Sequence, residues 1–88
     1  MIKYTLTIQA KEEILKRGIS LDIIEEILIS PLLIKEELNN RKSYQKVFKF
    51  LNEKKYLVRV IVEVRNKELM VITAYKTSKI NKYIKEAQ

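Results

Sequence analysis

Arg59 stands inside the apolar run YLVRVIVEV (56–64), on the alternation it shares with Leu57 and Ile61. A guanidinium in that setting needs a partner or an anion. Three environments satisfy it: an ion pair with Glu63 two positions along the same face, water on an uncovered sheet face, or a phosphate whose oxygens match the planar fork. A second concentration of chemistry follows at Tyr75-Lys76-Thr77-Ser78-Lys79, where two hydroxyls and two ammonium groups fall within five residues. A strand end feeding a helix N-terminus would add backbone N–H donors, so the stretch reads either as an anion site or as a helix cap with solvated lysines. Tyr44, Tyr56, Tyr75 and Tyr83 could stack on bases or fill core and rim positions.

The chain contains no cysteine and no histidine. Disulfides, zinc fingers, cysteine nucleophiles and Ser-His-Asp triads are thereby excluded, and no metal or other cofactor is expected. The net charge is +7, and it is unevenly distributed. Residues 1–38 carry five Lys/Arg against seven Asp/Glu, whereas residues 39–88 carry thirteen against four. A basic half of this kind attracts a polyanion or an acidic protein, although a solvated lysine-rich surface has the same composition. Lys46 and Lys82 add to the cationic set around Lys76 and Lys79. No apolar stretch approaches the ~18 residues of a membrane span, and MIKYTLTI has the pattern of a strand and not of a signal peptide, so no membrane contact and a cytoplasmic location are expected.

The elements that must position these groups follow from periodicity. Tyr4, Leu6 and Ile8 alternate as a short first strand. Ala10, Ile14 and Leu15 lie at helical spacing, and Gly18 supplies the left-handed residue that ends that helix. Ser20 caps a second helix, with Ile19 and Ile24 as a hydrophobic staple, Leu21, Ile24, Ile27 and Leu28 as its apolar face, and Pro31 as its stop. Leu32–Leu38 and Ser43–Phe50 read as strands joined by the polar cluster Asn39-Asn40-Arg41-Lys42. In the next strand Tyr56, Val58, Val60, Val62 and Val64 form one apolar face that must meet the helices. The last strand is predicted to set Leu69, Val71, Thr73, Tyr75 and Thr77 on one side, opposite Met70, Ile72, Ala74 and Lys76. Ser78 then caps a final helix with Ile80, Tyr83, Ile84 and Ala87 on its apolar stripe and Lys79, Lys82 and Lys85 outside it. The expectation is a single α+β domain over residues 1–88: a short N-terminal strand, two helices, an antiparallel meander of about four strands and a C-terminal helix.

The order IQAKEEILKRGIS, a helix ending before Pro31, YLVRVIVEV and VITAYKTSKINKY resembles the bacterial and archaeal domain-of-unknown-function family four-two-five-eight and, more distantly, ribonuclease toxins of the BrnT and RelE type. Its specific pieces are Arg17-Gly18-Ile19 and Tyr75–Lys79 with Tyr83. The resemblance implies helices on one side of a twisted antiparallel sheet, a metal-independent endoribonuclease (mRNA interferase) acting on RNA, in some cases at the ribosome, and a cognate acidic antitoxin. It further implies that Arg59 and Lys79 stabilise charge in an in-line transition state, that Tyr75 is catalytic, and that Lys46, Lys76, Ser78, Lys82 and Tyr83 bind RNA. The family pattern places a His-Ala pair at the start of the first helix and an Arg four residues after the His; here those positions are Gln9-Ala10 and Glu13. An amide does not titrate near neutral pH, so Gln9 cannot serve as a general acid or base. The alternative expectation is therefore a module of the same fold that binds nucleic acid or protein without catalysis. Nothing in these patterns specifies an oligomeric state.

Overall fold

The computed structural model describes residues 3–86. Ala87 and the Lys85 side chain, both assigned above to the last helix, lie outside the described residues. The element order is β1 (Tyr4–Leu6), α1 (Ile8–Lys16), α2 (Leu21–Ile29), β2 (Leu33–Glu36), β3 (Arg41–Lys49), β4 (Lys55–Arg65), β5 (Glu68–Thr77) and α3 (Ile80–Glu86). The protein is α+β, and the strands form one mixed sheet in the order β1-β5-β4-β3-β2. The sheet thus has five strands where about four were expected, because β1 joins it parallel to β5, with Tyr4 beside Leu69 and Leu6 beside Val71.

Local chemistry sets most boundaries. Thr7 caps α1 by accepting from the Ala10 amide at 3.0 Å. Gly18 has φ +73°, and the Ile19 amide reaches back to the Ile14 carbonyl at 3.1 Å, the closure that a left-handed residue after a helix permits. Ser20 accepts from the Ile23 amide at 3.3 Å and starts α2, with Ile19 and Ile24 both buried. The β4–β5 hairpin turns on Asn66 and Lys67, both with positive φ, which matches the twist of the flanking strands.

One face of the sheet carries the core. Ile14, Ile24, Ile27 and Leu28 from the helices meet Tyr44, Val58, Val60, Val62, Leu69, Val71 and Ala74. α1 packs on β5, and α2 crosses β3 and β4. Each large aliphatic side chain fully buried here contributes about 1.5–3 kcal/mol before the entropy cost of ordering it.

The expected alternation of β5 is broken in the middle. Ile61 pairs with Thr73 and Val62 with Val71, leaving Ile72 as an extra residue. This bulge reverses the side-chain phase: Leu69 and Val71 share the helical face with Ala74 and Lys76, Tyr75 and Thr77 turn to the other side, and the Thr73 hydroxyl beside the bulge meets Glu13 and Arg17. The single continuous face expected for Leu69 through Thr77 does not exist.

The helices are also not confined to one side. Tyr83 of α3 lies against Arg59, which points away from the valine core, so α3 covers part of the second face. That face buries Leu57, Ser43, Gln45 and Arg59.

Candidate nucleic-acid interface

The bulge divides the sequence-predicted site residues between two places. On the second face, Arg59 of β4 is only 7% exposed. Its guanidinium donates one bond to the Tyr75 hydroxyl and pairs with Glu37 Oε1 at 3.2 Å. The guanidinium carbon lies 4.5 Å from the Tyr83 ring centroid and 5.5 Å from that of Tyr75. The expected partner Glu63 is instead paired with Arg65 at 2.9 Å. Arg59 is thus enclosed by a carboxylate, a phenol and two rings, an arrangement that neutralises a buried cation.

Next to it lies an incompletely paired polar group. Gln45 is directly across the ladder from Arg59 and donates to the Ser43 hydroxyl at 2.9 Å. Gln45 Oε1 and Arg59 Nε, both buried, have no hydrogen-bond partner among the described residues.

Lys76 belongs to the opposite face. It pairs in register with Val58, donates to the Arg17 carbonyl at 3.0 Å, and sits 4.4 Å from the Phe50 ring centroid and 5.5 Å from that of Tyr56. Phe50 and Tyr56 pack edge to face, with centroids 5.3 Å apart at 85°. The α1–α2 connection closes over this ammonium group: a Cβ built on Gly18 would lie 3.3 Å from Lys76 Nζ. A shallow cleft beside it is lined by Gly18, Ser20, Ile23, Lys49, Phe50 and Glu53.

Strand register brings further cations to this end of the sheet. Lys49 and Lys55 are cross-strand neighbours, and Thr77 faces Leu57, two positions from Lys55. Lys54, Lys55 and Lys79 are exposed and form no ion pair among the described residues. Lys49 is held by Glu53 at 2.6 Å, the one acidic residue of the β3–β4 turn. Leu51 at the same turn is fully exposed.

Of the catalytic candidates, Arg59 and Tyr75 are therefore brought together, and Lys79 forms no hydrogen bond with either among the described residues. Lys46 is committed to Glu26 at 3.1 Å on the helical face. Lys82 lies 5.8 Å from the Tyr83 ring. No capping bond from Ser78 is present among the described residues; the Thr77 hydroxyl accepts from the Lys79 amide at 3.1 Å, and α3 begins at Ile80. Gln9 and Glu13 line a separate cleft with Thr7, Ile72 and Thr73, where Thr73 donates to Glu13 at 3.3 Å. Sequence reasoning missed Glu37 and Gln45 because both reach Arg59 only through strand order. The signal for Phe50 was present in its strand phase, shared with Tyr44 and Lys46.

Compared with protein-family models, curated proteins and solved structures, the chain matches none. The chemistry of the two clusters has to be read from their own geometry. Among the described residues no three His, Cys, Asp or Glu side chains gather as a metal-binding group, and no helix is long and apolar enough to cross a membrane.

Proposed function

We propose that this domain binds RNA through the β3–β4 turn end of its sheet. The observation that carries the reading is Lys76 held on the Phe50–Tyr56 pair, with the exposed Lys54 and Lys55 at the adjoining turn, where Glu53 is the single carboxylate, and Lys79 two residues beyond the end of β5. Cations gathered at one end of a sheet attract a phosphate backbone, and the aromatic pair holds Lys76 in place. Arg59 does not take part in this reading, since Glu37, Tyr75 and Tyr83 already surround it.

Fluorescence anisotropy with a labelled single-stranded RNA tests it. Affinity should fall steeply with salt, and the variant Lys54→Glu, Lys55→Glu, Lys79→Glu should lose at least about tenfold in affinity, with the log–log salt slope reduced by about one for each phosphate contact removed. Equal binding by the variant, or binding insensitive to salt, refutes the proposal.

A second reading is favoured by the meeting of Arg59 with Tyr75. In that reading the domain is a RelE/BrnT-like RNA-cleaving toxin, with Arg59, Tyr75 and Lys79 acting on the scissile phosphate after α3 moves away, and an acidic antitoxin covering the basic end. It requires RNA cleavage in the presence of chelator that Tyr75→Phe abolishes in a folded protein. RNA left intact by concentrated protein removes this reading and leaves the binding proposal standing.

A further inference from the structure

The two edges of the sheet are finished differently. At the first, β1 spans only Tyr4–Leu6, and beyond it Arg17 Nη1 donates to the Ala74 carbonyl at 2.8 Å. A short strand and an arginine cap are devices that prevent edge pairing. The β2 edge, four residues long, has no such cap among the described residues. The Glu37 amide reaches the Arg41 carbonyl at 2.8 Å, so residues 33–37 run extended alongside β3 in one register, and the Leu32 amide reaches the carbonyl of Gln45, the partner of Leu33, at 2.9 Å through a one-residue slip at the start of the strand. No other strand pairs with the outer side of β2 among the described residues. Exposed apolar side chains gather there: Leu32 is 60% and Ile34 46% exposed, and Ile29 at the end of α2 is 62% exposed.

The direction of the unpaired groups follows from the ladder. With Glu37 bonded to Arg41, alternation turns Lys35 and Leu33 inward, so the N–H and C=O of Ile34 and Glu36 point away from β3. We infer that this edge pairs with the same edge of a second copy, antiparallel, about a two-fold axis at Ile34. Each Ile34 N–H then meets the partner copy's Ile34 carbonyl, and each Glu36 N–H meets the Leu32 carbonyl. Cross-strand neighbours become Ile34 with Ile34, Leu32 with Glu36, and Leu33 with Lys35. No like charges oppose each other.

Other registers are worse. An axis at Lys35 sets Lys35 against Lys35, and one at Glu36 sets Glu36 against Glu36, both repulsive. An axis at Leu33 retains only the two bonds from Ile34 to Leu32, because Ser30 leaves the extended conformation at ψ 67°. The Ile34 register alone combines four ladder bonds with apolar contact at the axis. It also leaves the lysine-rich turn end at Lys54, Lys55 and Lys79 outside the interface, so the inference is independent of RNA binding. Because the β1 edge is closed, assembly stops at two copies.

Analytical ultracentrifugation on the full chain is the test. The mass should rise toward twice the monomer's as concentration is raised through the micromolar range. Ile34→Pro removes only an outward N–H, and Ile34→Lys sets like charges on the axis; both should be monomeric, with circular dichroism unchanged for Ile34→Lys. The chain has no cysteine, so oxidation of the double variant Leu33→Cys, Lys35→Cys should link two copies, while Leu33→Cys alone should not. A wild-type protein that stays monomeric at millimolar concentration overturns the inference, as does a dimer that survives Ile34→Lys. Linkage through Leu33→Cys alone overturns the register.

Discussion

Arg59 and Lys76 lie one register step apart on adjacent strands, Arg59 opposite Tyr75 and Lys76 opposite Val58, but on opposite faces of the sheet. Arg59 is enclosed by Glu37, Tyr75 and Tyr83. Lys76 rests on Phe50 and Tyr56 at the sheet end, beside lysines with no carboxylate partner. The difference shows how one bulge assigns two similar cations to different work. A cation taken out of water must be neutralised where it sits, and it then serves the fold. A cation held on aromatic rings at the end of the sheet, with exposed lysines nearby, adds to the positive field of that end.

The comparison breaks most visibly at Arg59. Arg59→Ala leaves Glu37 half-buried without its partner and opens space under Tyr83, and should cost about 3 kcal/mol. Denaturant melts check this, and Lys54→Ala measured in parallel should lie within about 0.5 kcal/mol of wild type. Equal stability losses for the two would mean that burial does not distinguish them.

A smaller effect is expected where the backbone approaches Lys76. Gly18→Ala places a Cβ at positive φ and 3.3 Å from Lys76 Nζ. It should cost about 1–2 kcal/mol in a thermal melt, most of it backbone strain. A neutral or stabilising result would show that the turn relaxes and that Lys76 is not fixed by it.

The smallest effect concerns Tyr4, whose hydroxyl is pushed above its ordinary pKa of 10.0 by burial first, and then by Glu25 and Asp22. The folded state therefore holds the phenol proton more tightly than the unfolded chain. Its contribution to stability is complete below about pH 10 and is lost as the pH rises through the raised value. Tyr4→Phe should flatten the alkaline fall in stability. An unchanged slope would exclude Tyr4 as its source.

Much of the architecture was legible locally. Gly18 ended α1, Ser20 began α2, Pro31 followed it, and the valine face of β4 met the helices, because each depends on neighbours within a few residues. The site was less legible. Alternation placed Tyr75 and Arg59 correctly as strand residues, but it set Tyr75 on one continuous face with Leu69 and Val71, and Ile72 breaks that face. Glu63 was the natural partner for Arg59 on sequence distance, yet Glu37, twenty-two residues away, is the one in reach.

Composition and short-range steric preferences fix the elements, the charge imbalance and the lack of cysteine and histidine chemistry. Long-range pairing sets the rest: β1 runs beside β5, α3 covers part of the second face, and the cations divide between an enclosed pair and the turn end of the sheet. Those outcomes depend on strand order and on a single-residue shift of pairing. Both are set by the summed packing of distant segments, which no local pattern records.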